Sequence, residues 1–426
     1  MKIGLEVHVA LPTKTKLFCS DSTSETREPN SQICPICVGF PGSRPVLNEE
    51  AVRVAKSIAI ALNCRVREDI SFIRKVYFYP DLPKSFQITQ LSESIGSDGF
   101  LELEKKRVGI RRIQIEEDPA RIIREEGYTL LDFNRSGIPL VEIVTEPDIT
   151  TEEELREMVF TLRTILHYQG VDVNQEVKTD LNISLAEERV EIKNVTGIKN
   201  LIAAAQYEIT RQGAIIKKGG VPEKETRSFD AASGTTKTSR KKESEEEYGF
   251  IYEPDLTVYD TKNLSENAMR IPTKIAMGLA VKHKANYSTI LELIAFDTGA
   301  LNLINEFEEE FDFKTIIASL EIMKRFGEPA NSGVFKEILG LTDQKIDITR
   351  DVLKKIKAGD KVEIKKFSEP QIDETIREML NSDKTIVEKY KKNKNVVNFI
   401  VGTISKKYGI QPRDAAARVE GVINKL

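Results

Sequence analysis

Residues 111–148 read RRIQIEEDPARIIREEGYTLLDFNRSGIPLVEIVTEPD, and this stretch decides the fold. From Leu140 to Glu146 the pattern alternates. Leu140, Glu142, Val144 and Glu146 share one side of a strand, with Val141, Ile143 and Thr145 on the other. Upstream, Ile113 to Asp118 is predicted as a second strand ending in three acids, Glu116, Glu117 and Asp118. Carboxylates crowded in this way repel one another unless a cation lies among them. The stretch is therefore expected to form an acidic floor that holds a metal ion. Glu125 and Glu126 fall in a predicted turn, where water solvates them.

The same two-faced pattern recurs on both sides. Ile3, Leu5, Val7, Val9 and Leu11 point one way; Gly4, Glu6, His8 and Ala10 point the other. Small residues flanking Glu6 and His8 leave room for a ligand on that face. Further on, Glu176, Lys178, Asp180, Asn182 and Ser184 share a face, as do Arg189, Glu191 and Lys193. Helices are predicted between the strands. One starts after Asn48 with Glu49 and Glu50. A second starts at the capping box Thr151-x-x-Glu154. A third runs from about Lys199 to Lys218 and stops at Gly219-Gly220. The first half thus reads as an antiparallel sheet with helices on its dry side. Its wet side would carry Glu6, His8, the acids of 116–118, Glu142, Asp180, Glu191 and Lys193. That mixture suits Mg²⁺ and phosphates better than plain solvent.

Other features surround this sheet. Cys34-Pro35-Ile36-Cys37 is a knuckle that can present two thiolates to one zinc; Cys19 is a third candidate ligand and Asp21 the nearest fourth. Residues 74–84, RKVYFYPDLPK, interleave aromatics with basic residues and prolines, a stiff loop suited to holding phosphate or stacking a base. Residues 222–255 are polar and read either as a linker or as holding a hairpin around Ser233-Gly234, with Arg227, Ser239 and Arg240 as candidates to face the acidic floor. From about Arg270 alternation gives way to helical spacing, as in 288–296 and 314–326. The last segment, 366–426, is helical and locally basic; Lys389, Lys391, Lys392, Lys394, Lys406 and Lys407 form a patch able to follow a phosphodiester backbone.

With 426 residues the chain exceeds one simple core, and three domains are expected: 1–269, 270–365 and 366–426. The 63 Lys+Arg and 67 Asp+Glu nearly cancel, so the charge asymmetry is local. No run is long and apolar enough to span a membrane, and the alternating start is unlike a signal peptide, so a cytoplasmic location is expected. Four cysteines suit a reducing compartment. There is no GxxxxGK[ST], GxGxxG or GxSxG, so any use of ATP proceeds without a P-loop.

IGLEVHVALPTKTKLFC, CPICVGFPGSRPVLNEEAV, RKVYFYPDLPKSFQITQ, IEEDPAR, LLDFNRSGIPLVEIVTEPDI, KTDLNIS and RVEIKN follow one another in a series. The series resembles that of GatB, the B subunit of aspartyl/glutamyl-tRNA amidotransferase. The resemblance implies an α+β cradle, an all-α helical domain and a YqeY-like, tRNA-binding tail. It also implies a C–N ligase acting with GatA and GatC on misacylated tRNA(Gln) or tRNA(Asn). In that reaction ATP and Mg²⁺ convert a side-chain carboxylate to an acyl phosphate, which ammonia released from glutamine by GatA then amidates. By the resemblance Glu6, His8, Glu117 and Glu142 are metal-site residues, whereas alternation favours Glu116; a bulge at the strand end would reconcile the two. Glu6, His8, Lys75, Asp180 and Glu191 are candidate catalytic residues. Lys75, Lys84, Arg135 and Lys193 are candidates to bind the nucleotide. The chain departs from the pattern at Cys19-Ser20-Asp21, which makes any zinc site Cys₃Asp, and at Gln114, where a histidine is common. It departs again at residues 248–256, YGFIYEPDL in place of YRYFPEPDL. Two alternatives are the archaeal GatE subunit, which carries a large extra domain, and a non-catalytic tRNA-binding scaffold.

Overall fold

The computed structural model describes residues 1–172, 177–241, 249–264, 271–360, 369–382, 386, 390, 394–408 and 412–425. They form two compact units, Met1–Ile275 and Ala276–Leu426. The first is built on a nine-stranded sheet. In spatial order its strands are Thr235–Lys241, Glu225–Asp230, Val190–Thr196, Lys178–Ser184, Lys2–Ala10, Pro139–Thr145, Arg107–Glu117, Gly96–Glu102 and Arg65–Val66. The Lys2–Ala10 strand lies at the centre, antiparallel to both neighbours.

The expectation of a wholly antiparallel sheet needs one correction. Val190–Thr196 and Glu225–Asp230 run parallel. Parallel neighbours need a crossover, and the 20-residue helix Ile198–Lys217 supplies it. The hairpin expected near Ser233-Gly234 is present; Gly234 has φ +66°, the left-handed conformation that glycine adopts without a Cβ clash.

Helices Glu49–Ala61, Glu152–Tyr168 and Ile198–Lys217 cover the apolar face of the sheet. Ile3, Leu5, Val7 and Val9 of the central strand meet Val52, Ile58, Leu162, Ile165 and Leu201 in one continuous core. Both expected caps form. The Asn48 side chain accepts from the Glu50 and Ala51 amides at 3.0 and 3.3 Å. Thr151 Oγ1 accepts from the Glu154 amide at 3.1 Å, while the Glu154 carboxylate reaches back to the Thr150 amide at 2.7 Å.

A three-stranded sheet in the order Gly249–Tyr252, Ile73–Val76, Phe86–Thr89 adjoins the main sheet near the end of Arg107–Glu117. The second unit is helical. Among its described residues are helices Tyr287–Phe296, Phe313–Phe326 and Ser332–Asp343. Near the C-terminus, Glu369–Ser382, Asn398–Tyr408 and Pro412–Ile423 share a core of Ile376, Ile400, Ile404, Val419 and Val422. No helix among the described residues is long and apolar enough to cross a membrane.

Candidate functional site

The polar face of the main sheet gathers most of the acids expected there. Cross-strand register sets His8 opposite Glu142 and Glu6 opposite Asp180. Glu142 in turn pairs with Gln114, and Asn182 with Glu191. Two trios result, each with ligand atoms within 4.8 Å of one another: His8, Glu116 and Glu142, then Glu6, Asp180 and Glu191. They adjoin along the central strand, because Glu6 and His8 are two residues apart on one face.

In the first trio His8 Nε2 lies 3.4 Å from Glu116 Oε1 and 3.9 Å from Glu142 Oε2. Gln114 Nε2 donates to Glu142 Oε2 at 2.6 Å, and Arg112 approaches its other oxygen at 3.7 Å. Thr89 Oγ1, from the small sheet, is 3.4 Å from Glu116 Oε2. In the second trio Asn182 Nδ2 donates to Glu6 at 3.1 Å. Lys193 bridges Asp180 at 3.3 Å and Glu191 at 3.2 Å, and the Asn194 amide donates to Asp180 at 2.7 Å.

These carboxylates lie close together and largely out of water. Burial, reinforced by Glu142, Asp180 and Glu191, raises the Glu6 carboxyl above its usual range. Burial and Glu142 push Glu116 up to about 7 against the opposing pull of His8 and Lys75. Burial disfavours the His8 cation, but Glu116, Glu142, Asp180 and Glu6 outweigh it and raise the imidazole. A divalent cation would relieve this crowding. Each trio also offers a buried carboxamide oxygen with no hydrogen-bond partner among the described residues: Gln114 Oε1 beside Glu142, and Asn182 Oδ1 beside Glu6. Carboxylate and carboxamide oxygens are what a hard cation selects, so the residues fit Mg²⁺.

Three expected residues lie elsewhere. Glu117 does not join the cluster. The register keeps Glu116 opposite Leu140 and Glu117 opposite Pro139, with no bulge at that end. Glu117 therefore points away from His8 and accepts from Lys84 Nζ at 2.6 Å and from the Ile88 amide at 2.8 Å. Lys84 is taken up by that contact. Arg135 pairs with Asp118 at 3.3 Å and donates to the Pro119 and Ala120 carbonyls at 3.0 and 2.8 Å. Lys75, by contrast, lies within electrostatic reach of Glu116.

The irregularity in this strand pair falls at its other end, between Val144 and Thr145. Glu146 joins neither trio and pairs instead with exposed Arg111 at 2.8 Å. Arg227 is another correction. It turns to the helix side, 3.1 Å from the fully buried Glu208, while its neighbour Thr226 faces Glu191. Arg240 stands opposite Thr226 in register, but its side chain is outside the described residues. So are Glu176, Lys389, Lys391, Lys392 and the side chains of Lys394 and Lys406; Lys407 is exposed.

Cys19, Asp21, Cys34 and Cys37 come together as expected, within 4.8 Å. Cys37 Sγ lies 3.2 Å from Asp21 Oδ2 and receives the Cys34 amide at 3.2 Å. Hydrogen bonding from Cys19, against burial and with help from the Cys34 amide and Lys16, draws the Cys37 thiol down to about 6. A thiolate is therefore available near neutral pH, and three sulfurs with one carboxylate match a tetrahedral zinc site.

The model of the GatB/GatE catalytic domain matches residues 1–265. Proteins named as the B subunit of aspartyl/glutamyl-tRNA(Asn/Gln) amidotransferase are similar over nearly the whole chain. The one from Saccharolobus solfataricus is 38% identical, covering 100% of this chain and 99% of its own length. That from Sulfolobus acidocaldarius is 37% identical over 96% of each. That from Persephonella marina is 36% identical over 95% of this chain and 94% of its own.

Proposed function

This chain belongs to the GatB/GatE family, and on that premise we propose that its polar sheet face is the ATP- and Mg²⁺-dependent activating centre of a tRNA-dependent amidotransferase. The observation that carries the reading is the pair of adjoining acidic trios, each with a carboxamide oxygen left over. A scaffold that only bound tRNA would have no use for Glu6, His8, Glu116, Glu142, Asp180 and Glu191 in two adjoining, largely buried trios.

A side-chain carboxylate is a poor electrophile, since its charge repels nucleophiles and it has no good leaving group. In the proposed reaction a carboxylate oxygen of Glu-tRNA(Gln) or Asp-tRNA(Asn) attacks the γ-phosphorus of ATP. ADP leaves, and an acyl phosphate remains. Ammonia then adds to the acyl carbon, phosphate departs with the bonding electron pair, and a proton lost from nitrogen leaves the amide. His8, Glu116 and Glu142 would hold one Mg²⁺, and Glu6, Asp180 and Glu191 a second. Bound there, Mg²⁺ neutralises phosphate charge. Lys75 and Lys193 are assigned the clamping of phosphate oxygens, because Lys193 lies against Asp180 and Glu191 of a trio and Lys75 within electrostatic reach of Glu116, whereas Lys84 and Arg135 pair with Glu117 and Asp118 outside the trios. Glu116 takes the ligand role in place of Glu117.

The assembly proposed is with GatA, as the source of ammonia, and GatC, in the cytoplasm. Residues 1–269 act as the cradle, 270–365 as a helical connector and 366–426 as the YqeY-like tail that grips tRNA. Zinc at Cys19, Asp21, Cys34 and Cys37 is assigned a structural role. Co-expression with GatA and GatC, followed by assays on Glu-tRNA(Gln) and Asp-tRNA(Asn) with and without ATP, tests the proposal. ATP-dependent amide formation on at least one of them is expected; none on either overturns it.

A further inference from the structure

The three-stranded sheet has one face turned to the acidic site, and that face continues outward onto an aromatic ledge. Register places Lys75 between Gln87 and Phe250, and Ile73 between Thr89 and Tyr252. Residues directly opposite each other lie on the same face, so Thr89, Gln87, Lys75, Phe250 and Tyr252 share one. Its direction is set by contacts. Thr89 Oγ1 lies 3.4 Å from Glu116 Oε2, Gln87 Nε2 donates to the Glu117 carbonyl at 2.8 Å, and the Lys75 charge reaches Glu116. Phe250 and Tyr252, on the outer strand, are 46% and 51% exposed.

The geometry points to Phe250 and Tyr252 as a stacking platform for the terminal base of the aminoacyl-tRNA, which positions the side-chain carboxylate over the acidic trios. The inference rests on the activating role given above and adds a subsite to it. Two inter-strand spacings separate the Thr89 strand from the ledge, roughly 10 Å. A carboxyl side chain, an ester and a ribose in series span a similar distance, roughly 10 Å or three extended residues' worth of covalent chain. A carboxylate held at Glu116 and Glu142 therefore brings the base of its own terminal nucleotide to Phe250 and Tyr252. Aromatic faces suit this task because every base has a π-face to stack. Ile251, 57% exposed, pairs with Arg74 on the opposite face and serves as the internal control.

The test uses the full chain assembled with its partner subunits and a glutamylated tRNA whose 3′-terminal adenine is replaced by 2-aminopurine, whose fluorescence is quenched by stacking. Binding without ATP should quench the wild-type signal. Phe250→Ala and Tyr252→Ala should each weaken the quench and raise KM for charged tRNA by roughly tenfold, the loss of about 1–3 kcal/mol of stacking, with KM for ATP unchanged. Phe250→Tyr and Tyr252→Phe should restore both readouts, and Ile251→Ala should leave both unaffected. Unchanged quench and KM in the alanine variants overturn the inference. So does a rise confined to KM for ATP, which assigns the ledge to the nucleotide's base instead. Because the quench is read without ATP, a wild-type complex that stacks the base yet forms no amide overturns only the activating role, and one that forms amide without quench overturns only the platform.

Discussion

Replacing Glu116 by Gln should stabilise the cradle in the absence of divalent cations, and the gain should grow with pH. The side chain keeps its shape but loses its charge. Glu116 is 6% exposed, and burial beside Glu142 moves its carboxyl from the ordinary 4.5 to about 7. A carboxyl raised on folding binds its proton more tightly in the native state. Its favourable contribution is complete below the unfolded value and is lost as pH rises through about 7. Ionising it in the folded state therefore costs on the order of 3 kcal/mol. His8 is raised as well, so its stabilisation also fades with rising pH, and the glutamine variant forfeits part of that contact. A net gain of roughly 1–3 kcal/mol above neutral pH is expected, shrinking to nothing near pH 5. Urea unfolding of the full chain in EDTA, followed across this range, measures it. Mg²⁺ should then reverse the ranking, because ligand at about a hundred times its Kd stabilises the wild type by roughly 2.7 kcal/mol. If the glutamine variant is no more stable than wild type at pH 7.5 in EDTA, the reasoning about crowded carboxylates is refuted.

Lys84→Met should destabilise the cradle by about 3–5 kcal/mol, because it leaves the Glu117 carboxylate buried without its cation. Adding Glu117→Gln should recover most of the loss in urea melts; no recovery would mean that the pair itself is not the cause. Arg227→Met should cost about 2–4 kcal/mol, since the fully buried Glu208 keeps only Arg211 as a cation within salt-bridge distance among the described residues. Faster proteolysis of the 225–241 hairpin would report the same loss. Elemental analysis should find one zinc per chain, absent from Cys34→Ser and Cys37→Ser. Wild-type chain purified without chelator and free of zinc would refute that site.

Much of the cradle was legible because strand alternation has a strict period. Glu6, His8, Glu142 and Asp180 could be put on one face by counting in twos, and the structure gathers them there. Where resemblance and alternation disagreed, at Glu116 and Glu117, the register follows alternation. Counting places residues on a face but does not say what they meet there. Glu146 is held by Arg111 outside both trios, and Arg227, beside Ile192 in register, lies on the dry side against Glu208. Period alone does not say which polar residues a distant helix will claim. Nor does it reveal pairs joined only by tertiary structure, as Lys84 and Glu117 are across 33 positions. The parallel pairing of Val190–Thr196 with Glu225–Asp230 was hidden for a similar reason, since a helix and a polar loop connect either orientation. Gln114 and Asn182 were visible as polar residues, but their unpartnered oxygens emerge only with their neighbours in place.

The central claim is that the acidic trios activate the carboxylate of a bound aminoacyl-tRNA. Glu142→Ala tests it most directly, because Glu142 meets His8, Gln114 and Arg112 at the middle of the floor. In the assembled complex, ATP-dependent amidation should fall by at least about a hundredfold, with affinity for charged tRNA unchanged. Amidation at the wild-type rate would contradict the assignment.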